Sequence, residues 1–273
     1  MLKLNFEEKQ FDGPYEVFEV QISNQGEVLR GILYFPPKKY KKPYPIITYF
    51  HGFPQLYTLQ EIIQSYYYLL DVGYSFFVFN FRGYRFTEGK VSISSQVSDA
   101  LKIIEFIEKM SRKGTFSSDN INIIGCDVGA FIALILCSKI SIINNLLLIS
   151  PILNLRKHIY SPDFVKTLNY INHFLPGNIH GIEDPNQFIN LMKNEINMEE
   201  FNIKNIITNL HFNKLKIIIG DTDKITPISE VNDLTQNLES FKIDTRIIKE
   251  MNHEHILDEE LEDIHNNVKN FFN

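Results

Sequence analysis

Between Ile121 and Cys137 a β-branched stretch runs through Gly125-Cys126-Asp127-Val128-Gly129 straight into an unbroken apolar run. A strand that passes into a helix with no loop between them forces its central residue into a strained backbone conformation. Small residues two positions before and after it are then needed, because neighbouring chain passes close by. Such a turn thrusts the Asp127 side chain clear of the sheet. It also leaves the amide of Val128 at a helix N-terminus, where it can stabilise developing negative charge. Alone, Gly-x-Asp-x-Gly is a weak sign, because glycine pairs flank many turns.

The rest of the chain has a matching rhythm. Phe18–Ser23 and Val28–Phe35 read as an antiparallel pair of strands around Asn24-Gln25-Gly26, closed by Pro36-Pro37. Short β-branched and aromatic runs then alternate with helical spacing: strands at 45–50, 75–79, 121–124, 146–149, 215–219 and 245–249, and helices at 58–72, 94–110, 131–137, 228–238 and 258–272. This alternation is the sign of a mainly parallel sheet with crossover helices. From Ile152 to Phe212 the pattern loosens into Asn-rich, Pro-punctuated helical pieces such as Phe188–Lys193, too long for a plain connection. The division expected is therefore a core of residues 1–151 and 213–273 carrying an inserted helical lid at 152–212.

Composition narrows the function classes. A chain of 273 residues with net charge −6, 44% hydrophobic and 22% charged residues, fits one folded domain with an insertion. Its 27 Lys+Arg are scattered rather than striped, which argues against a nucleic-acid partner. The N-terminus lacks the basic-then-apolar order of a signal peptide, and the longest apolar stretch, Val128–Cys137, falls well short of the ~20 residues that span a bilayer. A soluble, cytoplasmic protein with no membrane partner is expected. Cys126 and Cys137 would stand at opposite ends of one helix, too far apart to bridge.

Two further motifs follow later strands: Gly220-Asp221-Thr222-Asp223-Lys224-Ile225-Thr226-Pro227 and Asn252-His253-Glu254-His255. In an open α/β sheet such strand ends share one edge, where ligands bind. With the order elbow residue, acid, histidine, and with His51-Gly52-Phe53-Pro54 and Asn80-Phe81-Arg82-Gly83-Tyr84 after earlier strands, the sequence resembles the α/β-hydrolase superfamily over nearly its whole length. The resemblance implies the α/β-hydrolase fold, a mainly parallel twisted sheet of about eight strands flanked by helices. It implies Asp127 at the nucleophile position, Asp223 as acid, His253 as base, and the amides of Phe53 and Val128 as the oxyanion hole.

Most members carry Ser at the elbow, so Asp127 has two readings. As a carboxylate nucleophile, like those of the epoxide hydrolases and dehalogenases, it attacks an sp³ carbon, and His253, held by Asp223, activates the water that cleaves the resulting ester. As a replacement for Ser it marks an idle relative of esterases or acyl-peptidases that binds a small molecule or partner, a reading favoured by the Leu148-Ile149-Ser150-Pro151 exit. The presence of base and acid candidates favours the first. A haloalkane substrate is disfavoured because that branch holds halide with Trp N–H groups, and the chain has no Trp. An epoxide needs hydroxyl donors over the nucleophile, for which Tyr160 and Tyr170 in the lid are the candidates. No cofactor is implied, and the expected partner is a small-molecule substrate. A third option makes Ser150 the nucleophile of an esterase, although it lacks an elbow.

Several residues read as structural. Cys126 should point away from the cleft, Arg82 should brace its loop, and Tyr66-Tyr67-Tyr68 should pack a helix. Asp221 is the lesser candidate for the acid because Asp223 has the four-residue spacing to Pro227. The His253-x-His255 pair lacks a third ligand for a metal.

Overall fold

The computed structural model describes residues 10–238, 241–254 and 257–273. In chain order the elements are β1 (Gln10–Asp12), β2 (Tyr15–Asn24), β3 (Glu27–Phe35), β4 (Tyr44–Phe50), α1 (Leu59–Ser65), α2 (Tyr67–Asp71), β5 (Ser75–Asn80), α3 (Ile93–Arg112), β6 (Phe116–Cys126), α4 (Val128–Lys139) and β7 (Ile143–Ile149). There follow α5 (Leu155–Ile159), α6 (Pro162–Phe174), α7 (Pro185–Ile196), α8 (Ile203–Ile206), β8 (Lys214–Gly220), α9 (Ile228–Gln236), β9 (Lys242–Ile248) and α10 (Asp258–Phe272).

Among the described residues the strands form one nine-stranded sheet in the order β1-β2-β3-β5-β4-β6-β7-β8-β9. Pairing is antiparallel from β1 to β5 and parallel from β5 onward. The strand beyond the expected eight is β1, a three-residue edge piece on β2. Every residue of β5 is buried, as befits a central strand covered on both faces. Its alternate side chains divide accordingly: Phe77 and Phe79 join the core under α3 and α4, while Phe76 and Val78 join the core under α1, α2 and α10.

The helix expected across 58–72 is interrupted at Tyr66, which leaves helical geometry at φ −118°, ψ 14°. Its ring is buried and stacked on Phe76 at 5.3 Å, while Tyr67 bonds Asp12 and Tyr68 meets His265. In contrast, α10 spans the residues the periodicity predicts.

The sheet order positions the site. Strand β4 lies between β5 and β6, so the connections leaving β4 and β6 run to opposite sides and open a crevice at their carboxyl ends. The register pairs Phe50 with Gly125, which sets His51-Gly52-Phe53 directly beside the turn at Asp127.

Candidate active site

Asp127 has φ 52°, ψ −121°, a left-handed conformation that side chains rarely adopt, directly between β6 and α4. Three backbone bonds hold it there: its N–H donates to Ile149 O at 3.1 Å, and its carbonyl accepts from Ala130 N and Ile152 N, each at 3.2 Å. The flanking glycine has a steric cause, since a Cβ on Gly129 would lie 2.2 Å from Phe50 O and 2.5 Å from His51 O. A Cβ on Gly52 would lie 2.5 Å from Asp127 Oδ2, so glycine there is what lets the β4 loop reach the carboxylate.

The three polar side chains converge. His253 Nδ1 is 2.8 Å from Asp223 Oδ2, and His253 Nε2 is 3.3 Å from Asp127 Oδ1. Asp223 is fully buried, and its Oδ1 accepts from Ile225 N at 2.9 Å and Thr226 N at 2.8 Å, so the carboxylate cannot swing away. His253 must reach back from β9 across β8 and β7, about 14 Å at ordinary strand spacing. The loop does so by crossing the end of β8, where Thr222 N and Oγ1 both donate to Met251 O. Asp221 anchors the same loop by accepting from Glu250 N at 2.6 Å. It therefore holds the histidine loop and stays out of the Asp127–His253–Asp223 chain.

Of the two expected oxyanion amides, Phe53 N donates to Asp127 Oδ2 at 2.6 Å. Val128 starts α4, and its amide makes no such bond among the described contacts. His51 fixes the loop after β4: its Nδ1 donates to Gly52 O at 2.9 Å and its Nε2 accepts from Phe81 N at 3.1 Å, joining the loops after β4 and β5. Burial pushes the His51 imidazole down to about 4, so it is neutral, as this bonding pattern requires. Arg82 braces the second loop, bonding the fully buried Asp99 through N, Nε and Nη2.

Burial by itself would lower the pKa of His253, but the hydrogen bonds and charges of Asp127 and Asp223 outweigh it and raise the group to about 10. The resting site thus holds an imidazolium between two carboxylates. Because the folded chain binds this proton more tightly than the unfolded one, its stabilisation is complete below pH ~6.5 and is lost as pH rises through about 10. Asp127→Asn, which removes one carboxylate, is expected to destabilise most near pH 6, with the deficit shrinking toward pH 10. Urea denaturation of both proteins at pH 6, 8 and 10 checks this; a deficit that grows with pH would contradict the imidazolium.

Above the elbow, a cavity of only about 10 Å³ remains, lined by Phe53, Val128, Leu155, Phe164, Phe188 and Met192 among others. The rings of Phe53, Phe164 and Phe188 lie within 5.7–6.3 Å of one another and fill the space. Glu195 of α7 ties these helices to the core by accepting from Ile93 N at 2.8 Å at the start of α3. Tyr160 and Tyr170 do not join the site: they are 52% and 56% exposed. The Tyr160 ring lies beneath Lys193 Nζ, and Tyr170 packs on Phe174 one helical turn away on the outer face of α6. Their helices turn Leu155, Phe164 and Leu168 inward, so these tyrosines point out. Cys126 is buried on the far face of the sheet, accepts from Tyr49 Oη at 3.1 Å, and is pushed up to about 12 by burial. His255 lies outside the described residues.

One group near the site escaped the sequence reading. His158 of α5 is half-buried, and its ring meets Phe164 edge-on at 5.1 Å. Its signal was helical spacing, since Leu155, His158 and Ile159 share one face of α5.

A family model described as alpha/beta hydrolase fold matches residues 45–179. The whole structure is similar to an esterase of Pyrococcus furiosus, with TM-score 0.70 and 17% identity over 99% of this chain and 96% of that one. The chain has the α/β-hydrolase fold. Two other neighbours share this hydrolase fold: Est1E from Butyrivibrio proteoclasticus (TM-score 0.68, 15% identity, 93% of this chain and 96% of that one) and acetyl xylan esterase 1 from Thermoanaerobacterium (0.66, 12%, 100% and 87%). Among curated proteins, no sequence matches this one. The described helices of the hydrolase fold include none long and apolar enough to cross a membrane.

Proposed function

We propose that this protein is a cofactor-free hydrolase in which Asp127 is the nucleophile toward an electrophilic sp³ carbon, with an epoxide as the substrate class. The observation that carries this reading is the division of the Asp127 carboxylate, with Oδ2 on the amide of Phe53 and Oδ1 facing His253 Nε2. An attacking oxygen and a carbonyl oxygen are thereby distinguished before any substrate arrives. Oδ1 forms the bond to carbon, the ring C–O bond breaks, and the freed oxygen takes a proton, leaving an ester whose carbonyl is Oδ2. Esterification removes one of the two negative charges holding the proton on His253, so the imidazole becomes able to lose it. Neutral His253, oriented by Asp223, then takes a proton from water as the hydroxide adds to the ester carbonyl. Negative charge develops on Oδ2, which the Phe53 amide already contacts. Collapse expels the substrate alkoxide, which takes the proton of the added hydroxyl, so that the diol leaves and the carboxylate and the imidazolium are restored.

A second reading, an idle esterase relative that binds a ligand or partner, is favoured by the closed cavity of about 10 Å³ and by neighbours named as esterases. Asp127→Ser separates the two. An oxyanion donor is worth roughly 3 kcal/mol of barrier, so in an esterase that lost only its nucleophile the restored serine should hydrolyse 4-nitrophenyl acetate measurably above an Asp127→Ser/His253→Ala control. In the carboxylate enzyme the variant is expected to stay at the control level while the natural protein turns over epoxides. Esterase activity in Asp127→Ser together with no epoxide turnover by the natural protein would overturn the proposal.

A further inference from the structure

An epoxide oxygen is a poor leaving group unless a proton meets it, and the two tyrosines expected to deliver one face solvent. The donor has to come from the wall over Asp127, and the titratable side chains there can be taken in turn. His51 is committed at both ring nitrogens to Gly52 O and Phe81 N. Tyr84 is fully buried, with its ring packed edge-on against His51 and Phe53 and its hydroxyl on Gln96, so it has no route by which a spent proton is replaced. His253 has both nitrogens engaged with Asp223 and Asp127.

His158 differs. It stands on α5 one turn beyond Leu155, which lines the cavity, and its ring lies against Phe164, which lines the same cavity and packs on Phe53 at 5.7 Å. Neither ring nitrogen makes a hydrogen bond with another described residue. Burial lowers its pKa first, and the charges of Asp127, His253 and Asp223 all act on it, so the ring lies within electrostatic reach of the three converging side chains. A half-buried imidazole that packs on a residue lining the space over the elbow, with neither nitrogen bonded to a described residue, is what a proton relay requires.

We infer that His158 is a catalytic residue of the first step, donating its N–H to the oxygen displaced by Asp127. This rests on the carboxylate-nucleophile reading above. As the C–O bond breaks, the oxygen takes the proton from one nitrogen of His158, and the other nitrogen receives a proton through water from the imidazolium of His253. In the balance, Asp127 gains the carbon, the substrate oxygen gains the proton of His158, His158 regains one from His253 and ends neutral in its other tautomer, and His253 ends neutral. That neutral form is the one the second step uses.

The test compares two electrophiles by rapid quench and intact-protein mass spectrometry of the Asp127 adduct: styrene oxide, whose oxygen needs a proton, and 4-nitrobenzyl bromide, whose bromide leaves without one. His158→Phe keeps an aromatic ring against Phe164 but has no donor, and His158→Gln keeps a donor. The ratio of styrene oxide to bromide alkylation rates should fall by about a hundredfold or more in His158→Phe, with His158→Gln between it and the natural protein. An unchanged ratio in His158→Phe, even with both rates reduced, overturns the role of His158 while leaving Asp127 as nucleophile. Absence of both an Asp127 adduct and hydrolysed product with either electrophile in the natural protein overturns the carboxylate-nucleophile reading and this inference together.

Discussion

His253→Gln is expected to stop turnover after a single attack, leaving the protein esterified at Asp127. Glutamine retains a donor beside Asp127 Oδ1 but cannot take a proton from water, so the second step loses its base, while a single attack can still draw its proton from the N–H of His158. Removal of a general base typically costs 10²–10⁴-fold. The ester should therefore accumulate to near one equivalent on exposure to a panel of epoxides, with multiple-turnover activity lower by about three orders of magnitude. Intact mass should rise by the mass of one substrate, and peptide mapping should place it on Asp127. The same adduct in an Asp127→Ala background would place the nucleophile elsewhere. Full turnover by His253→Gln would remove His253 from the chemistry despite its 2.8 Å contact with Asp223.

Asp99→Ala is expected to be the most destabilising single change outside the site. Asp99 is completely buried, and its two oxygens accept from Arg82 N, Nε and Nη2 and from Asn24 Nδ2 at 2.7–3.2 Å. Removing it leaves a buried guanidinium whose remaining partner is Gln25 Oε1. Breaking a buried pair from one side costs about 3–5 kcal/mol, whereas replacing both members with apolar groups of similar volume is often close to neutral. Urea denaturation should show this loss for Asp99→Ala and recovery of most of it in Asp99→Leu/Arg82→Met. A loss below about 1 kcal/mol for Asp99→Ala would mean that water reaches Arg82 and that the pair does not brace the loop. Activity offers a second readout, because the loop begins at Phe81, whose amide holds His51 and through it the loop that carries Phe53 to Asp127.

The elements and the converging side chains were legible in the sequence to different depths. The elbow was readable because clearance is a local demand: Gly129 must pass Phe50 O and His51 O whatever else the chain does. Asp223 is separable from Asp221 by its spacing to Pro227; in the structure Asp223 meets His253 while Asp221 holds the backbone of Glu250. Apolar spacing persists through 58–72 and predicts one continuous helix there. The break at Tyr66 depends on Phe76, a residue of the next strand, which the spacing does not encode.

Amino-acid pattern alone determined the alternation of strands and helices, the strained turn at Asp127, and the order of acid and histidine after it. Each arises from interactions within a strand, a helix or a few residues of turn. The tertiary structure decided that β4 lies between β5 and β6, so that Phe53 N meets Asp127 Oδ2. It also decided which face of each helix in 152–212 covers the elbow. There Phe164 and Phe188 filled the space, Tyr160 and Tyr170 were left outside, and His158 was brought against Phe164. Helical periodicity says that one face of such a helix is buried, but the partner it is buried against depends on how helices distant in sequence dock, and only long-range packing sets that.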